Sequence, residues 1–192
     1  MLSRMAKRSL HLGAVAGTAA HHGFELAAGV GLVFQPYLGL PGATAAWCVA
    51  LPTWTWLALK GDGRHDRPLA VLAGVSLAGA LLHFKMWPVG WRRLGGRLAL
   101  PVLVEAEGLS PSQLSKYNAI LYAWTGASLA ALVGGTPKGR RRFALLGLAA
   151  GVPLSASARH HFDWLGVEAR ERPAWWNRAG LTASERDVVA GS

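Results

Sequence analysis

The sequence has little of the charge that water-soluble domains carry. Only 16% of its 192 residues are charged, whereas soluble domains average about 25%. Acidic residues are the scarcer kind, with 10 Asp and Glu against 20 Lys and Arg. Because 52% of the residues are hydrophobic, the composition favours a membrane protein over a soluble one. A chain of this length is expected to form one compact unit.

Cysteine is nearly absent. Cys48 stands alone, which excludes an intramolecular disulfide, a CxxC redox pair and a cysteine-based zinc site. The sequence also lacks the HExxH, GxxxxGK[ST] and GxSxG patterns. It therefore gives no sign of a zinc protease, a phosphate-binding loop or a serine hydrolase of those types.

Long apolar runs, separated by basic or turn-forming segments, dominate what is present. They extend over about residues 9–34, 43–59, 68–83, 110–133 and 143–165. Most approach the roughly 20 residues that cross a bilayer as a helix. We therefore predict an all-α fold, a polytopic transmembrane helical bundle of about five spans. It occupies residues 1–166, and residues 167–192 form a polar C-terminal tail.

Some element boundaries can be predicted from local chemistry. Ser110, Pro111 and Gln113 have the spacing of a helix start with a capping box. Pro153 should kink the fifth run, and Thr182 with Glu185 suggests a short capped helix in the tail. Each of these predictions rests on a few adjacent residues.

Residues 92–109 fit none of the spans. A sixth span would bury Arg92, Arg93 and Arg97, at about 2.5 to 3.5 kcal/mol each. We therefore predict an interfacial or re-entrant segment there.

Basic residues occur in short bursts between the apolar runs. The chain has a net charge of +10. The distribution of its basic residues suits the headgroups of a lipid bilayer as a partner, and does not suit nucleic acid. Three basic residues precede the first run and none occurs between Phe34 and Leu51. The positive-inside bias then predicts a multi-pass protein of the cell membrane with a cytoplasmic N-terminus. A cleaved signal peptide ending before His21 is the alternative.

Ionisable residues inside spans are costly, so they are the candidates for function. The first run contains His21, His22 and Glu25, and at about 100° per residue both histidines lie within reach of the carboxylate. His83 ends the third run. Near the end of the fifth run lie two further histidines and an aspartate: His160, His161 and Asp163. With the N-terminus inside, His21, His83 and His160 lie at comparable depths, roughly 18 to 26 Å from their helix starts.

These residues predict one polar site in the outer half of the bundle. A metal ion would be bound by imidazoles and carboxylates, and a haem or quinone would be bound in the same region. The metal candidates are His21, His22, Glu25, His83, His160 and Asp163. The cofactor candidates are His21, His22, Glu25, His160 and His161.

Two other functions remain open at this level. The polar groups can simply hydrogen-bond across helices and hold together a non-catalytic scaffold or interaction subunit. Alternatively, the protein can be a carrier that moves protons or small polar solutes along Glu25, although no internal duplication is visible. Small residues at Gly13/Gly17 and Gly147/Gly151 allow close helix packing, within the bundle or in a homo- or hetero-oligomer.

Overall fold

The computed structural model describes residues 3–60, 63–95, 98–106 and 108–181. Within them the chain is mostly helical, which confirms the all-α class in that coarse sense. The main elements are α1 (Arg4–Ala28), α2 (Gln35–Lys60), α3 (Asp66–Met86), β1 (Val89–Leu94), β2 (Leu98–Leu103), α4 (Pro111–Ala130), α5 (Ala144–Ala149) and α6 (Gly151–Glu171). A π-helical turn (Ala131–Gly135) and two 3-10 turns (Lys138–Phe143 and Arg178–Gly180) complete them.

Helix α1 is shorter at its C-terminal end than its apolar run. Ser3 caps its start by accepting a hydrogen bond from the backbone of Ala6. Gly29 ends it with φ of 86°, a left-handed conformation that glycine adopts without a steric penalty. The following residues leave the helix, although Val30 and Leu32 remain buried.

Helix α2 is interrupted near its start. Gly39 has φ of 63° and ψ of 172°, which is not helical, and it lies between Pro36 and Pro41. The chain therefore turns here, and the regular part of α2 follows the turn.

Strands β1 and β2 pair antiparallel, which the sequence did not indicate. The register pairs Val89 with Leu103 and Leu94 with Leu98. The amide of Asn118 fixes β2 on α4 by accepting from the backbone N–H of Leu103 at 2.8 Å and donating to its carbonyl at 3.0 Å. Trp91 is 71% exposed at the surface of the hairpin. This segment is thus not a helical span.

The start of α4 agrees with the prediction in detail. Ser110 is the N-cap, Pro111 opens the helix, and Ser110 and Gln113 make both hydrogen bonds of the capping box. The helix then passes into the π-helical turn.

The fifth run forms two helices instead of one kinked helix. The chain turns at Ala150 between α5 and α6. Pro153 lies in the first turn of α6, where its missing N–H breaks no helical hydrogen bond. The proline therefore lies just after the break.

Residues 167–181 pack back on the bundle. Helix α6 continues to Glu171, so the predicted division at residue 166 falls within it. Asn177 is fully buried, and the backbone N–H of Ala179 donates to the carbonyl of Gly29 at 3.1 Å. The helix predicted from Thr182 and Glu185 lies outside the described residues.

Small side chains allow the helices to approach closely. About half of the buried hydrophobic residues are alanines. A Cβ on Gly17 would lie 2.9 Å from Cα of Trp124 in α4, and one on Gly147 would overlap the backbone of Val71 in α3. Both glycines therefore serve packing within the chain, and their use between copies of the chain stays a prediction.

Membrane character is visible in one helix by length and composition. Among the described residues, only Asp66–Met86 is long and apolar enough to cross a bilayer by those two criteria. The same properties also occur in core helices of soluble proteins, so the five predicted spans stay a prediction.

Candidate functional site

The site centres on the carboxylate of Glu25, which is 5% exposed. Its Oε1 lies 3.2 Å from Nε2 of His21, one helical turn earlier on α1. Its Oε2 lies 3.2 Å from Nδ1 of His22. Positions i, i+3 and i+4 share one side of a helix, so α1 alone brings both imidazoles to the two oxygens of one carboxylate.

Two further helices complete the cluster. From α3, Nε2 of His83 lies 3.7 Å from Oε1 of Glu25, and Nδ1 of the same ring donates to the carbonyl of Gly79 at 2.9 Å. From α4, the hydroxyl of Tyr117 donates to Oε1 of Glu25 at 2.9 Å. Three helices thus direct four polar groups to one buried carboxylate.

Aromatic rings fix the orientation of the imidazoles. His21 stacks on Trp124 at 4.4 Å between ring centroids and on Tyr117 at 5.6 Å. His22 lies 3.9 Å from the ring of Trp47 in α2. Because these rings restrict rotation, the nitrogens that face Glu25 are held in position.

A chain of hydroxyl groups supports the same region. The indole N–H of Trp124 donates to Ser76 at 2.7 Å, and the hydroxyl of Ser76 lies 2.8 Å from that of Ser128 and 3.1 Å from that of Thr18. These contacts join α1, α3 and α4, and they satisfy polar groups that lie in the interior.

The histidine pair of α6 is divided between two environments. Nε2–H of His161 donates to the carbonyl of Val30 at 2.8 Å, and the residue is buried. His160 is exposed and lies 5.3 Å from the ring of Tyr37, and Asp163 is also exposed. Of the predicted site residues, the structure therefore brings together His21, His22, Glu25 and His83. It does not bring His160 or Asp163 to this cluster.

The spacing of the ligand atoms suits a metal ion. His21, His22 and Glu25 each offer a ligand atom, and these three atoms lie within 4.8 Å of one another. Two ligands bound at 2.0–2.1 Å to a tetrahedral metal lie about 3.3 Å apart. The nitrogen-to-oxygen separations of 3.2 Å to Glu25 are close to that value. A haem fits less well, because these nitrogens face a carboxylate instead of an open planar space.

An apolar cavity of about 330 Å³ adjoins the cluster. It lies between α2, α3 and α6, and its walls include Leu51, Val75, Leu154 and Phe162. The side chains of the cluster line part of its wall, and His161 also lines it. A small molecule in this cavity would therefore lie against the imidazoles and Glu25.

Sequence reasoning missed the contribution of α4. Tyr117, Leu121, Trp124 and Ser128 are all buried, and their spacing of three and four residues places them on one face of the helix. A stripe of tyrosine, tryptophan and serine in an apolar helix is a signal that could have shown which face of α4 meets the histidines.

Comparisons of this chain with protein-family models, with curated proteins and with solved structures found no match.

Proposed function

We propose that this chain is an integral membrane protein whose buried cluster of His21, His22, His83 and Glu25 binds one divalent transition-metal ion. The carrying observation is the convergence of three imidazoles from two helices on one buried carboxylate. Imidazole with carboxylate suits zinc, iron, nickel or copper. The hydrogen bond from Tyr117 to Glu25 is the kind of outer contact that orients a metal ligand.

The membrane part of the proposal rests on which residues face outward. Val49, Leu129, Leu145 and Val152 are each about half exposed or more, whereas alanine dominates the interior. Without a hydrophobic driving force between helices in lipid, small residues and interhelical hydrogen bonds provide packing. The exposed apolar side chains and the hydroxyl contacts around Ser76 fit that environment.

A fractionation experiment tests the membrane part. We expect the protein to stay in the membrane pellet after alkaline carbonate extraction and to require detergent for release. Recovery in the carbonate supernatant would contradict the proposal.

A labelling experiment tests the orientation, a cytoplasmic N-terminus in the cell membrane. Met5→Cys in a Cys48→Ser background, with Met5 75% exposed, should resist an impermeant maleimide in intact cells and react after lysis. Labelling in intact cells would reverse the assignment.

Metal analysis tests the site. Protein purified in detergent without chelators should contain about one transition-metal ion per chain, and Glu25→Gln should lose most of it. His160→Ala is the matched control, because His160 is exposed and outside the cluster. Wild-type protein that is folded but does not bind zinc, iron, nickel or copper would reject the metal site. That result would favour a scaffold or a proton carrier.

A further inference from the structure

The apolar cavity beside the cluster has a size, a polarity and a position that together define a ligand. An engineered cavity of about 150 Å³ binds benzene. By that measure, a cavity of about 330 Å³ holds roughly a dozen carbon atoms. This is the size of a short lipid chain or a small ring system with a tail.

The walls select an apolar ligand along most of the length of the cavity. Side chains from α2, α3 and α6 line it with leucine, valine, alanine and aromatic groups. The hydroxyls of Thr18 and Ser76 also lie in the wall, but they bond to each other. The polar groups in the wall also include His22, His83 and Glu25 of the cluster. Against the apolar part of the wall, water would find few hydrogen-bond partners.

The exposed surface of α2 adjoins the cavity. A shallow apolar groove on this helix is lined by Ala45, Val49 and Thr53, and it shares Ala46, Ala50, Trp54 and Leu72 with the cavity. Val49 is 67% exposed. The groove therefore adjoins the cavity at Ala46, Ala50, Trp54 and Leu72.

The geometry points to a binding site for a lipid-soluble molecule of about a dozen carbons whose oxygen head, such as a hydroxyl or carbonyl, reaches the metal ion held by the cluster. This inference rests on the proposed metal site, since the metal gives the oxygen its partner. A zinc or non-haem iron ion bound by three of these side chains keeps an open position for one further oxygen ligand.

Photo-crosslinking tests the site in the full-length protein. The probe is a twelve-carbon alcohol with a mid-chain diazirine, added to metal-loaded protein in lipid nanodiscs. Adducts should map to cavity residues of α2 and α6, around Ala50 and Leu154. Excess dodecan-1-ol should displace the probe at least tenfold more effectively than dodecane. Equal displacement by dodecane, or adducts spread evenly over the exposed helices, would overturn the inference.

A matched pair of substitutions separates this site from the metal site. Ala158 lines the cavity, so Ala158→Leu fills it and should reduce labelling at least tenfold while the metal content stays at one ion per chain. Ala156→Leu is the control on the exposed side of α6 and should change neither quantity. Retained metal without specific labelling of the wild type overturns this inference alone. Absence of bound metal overturns the proposed function, whatever the labelling.

Discussion

The molecule has two pairs of adjacent histidines, each with an acidic residue close behind it in the sequence, and the two pairs have different surroundings. On α1, both His21 and His22 face Glu25 within 3.2 Å. On α6, His161 is buried and His160 is exposed. Adjacent helix residues point about 100° apart, so both can be covered only when other helices pack on two sides. Helix α1 contacts α2, α3 and α4, whereas α6 contacts mainly α2, α3 and the 3-10 turn Arg178–Gly180.

The largest expected contrast in stability and metal binding is between the carboxylates near the two pairs, Glu25 and Asp163. Glu25→Ala removes the acceptor of Tyr117, His21 and His22, so several buried donors lose their partner. We expect a loss of about 3 to 5 kcal/mol in unfolding free energy and loss of bound metal. Asp163→Ala, at an exposed position, should change both quantities little. Denaturant unfolding in detergent with metal analysis checks the pair, and equal effects would remove the distinction.

The histidines themselves give the next contrast. His21 is 2% exposed and stacks between Tyr117 and Trp124. His21→Ala should cost about 2 to 4 kcal/mol through the cavity and the lost hydrogen bond, and should greatly weaken metal binding. His160→Ala should leave the melting temperature and metal content unchanged. A His160→Ala variant that loses metal would place His160 in the site and contradict the account.

Tyr117, which contacts Glu25 but is not among the proposed metal ligands, gives a smaller expected effect. Tyr117→Phe removes one hydrogen bond to Glu25 and keeps the ring. We expect a loss of about 1.5 to 3 kcal/mol and a roughly 10- to 100-fold lower metal affinity, measured by competition with a chelator. Metal affinity equal to that of the wild type would show that Tyr117 does not orient the carboxylate.

Burial alone does not place a histidine in the metal site, and His161 tests this. Its hydrogen bond to Val30 joins α6 to the segment after α1. His161→Phe fills similar space but removes that bond, so we expect a loss of about 1 kcal/mol with metal content unchanged. Lost metal would extend the cluster to α6.

Local features of the fold were predictable, and features set by packing were not. The capping box at Ser110 and Gln113 was predicted to the residue because it involves only adjacent side chains. The hairpin of β1 and β2 was missed because its pairing joins residues up to 14 positions apart and is fixed by Asn118 on α4. The end of α1 at Gly29 was missed because apolar residues continue beyond it.

The residues of the site were likewise predictable where local spacing brings them together, and not where tertiary packing does. His21, His22 and Glu25 were identified because helical periodicity places them together. His83 joined them through the estimated depth of its helix end. The rotation of α6, which turns His161 inward and His160 outward, depends on tertiary contacts such as the bond to Val30. Helix α4 contributed Tyr117 from 92 residues away, a distance that no local pattern spans.

X-ray absorption of the metal-loaded protein tests the central claim most directly, because it reports the atoms bound to the ion. The account predicts about three imidazole nitrogens and one or two oxygens at roughly 2.0–2.2 Å, with the nitrogen count falling in His21→Ala and unchanged in His160→Ala. A shell of oxygen atoms without imidazole, the same in all three proteins, would contradict it.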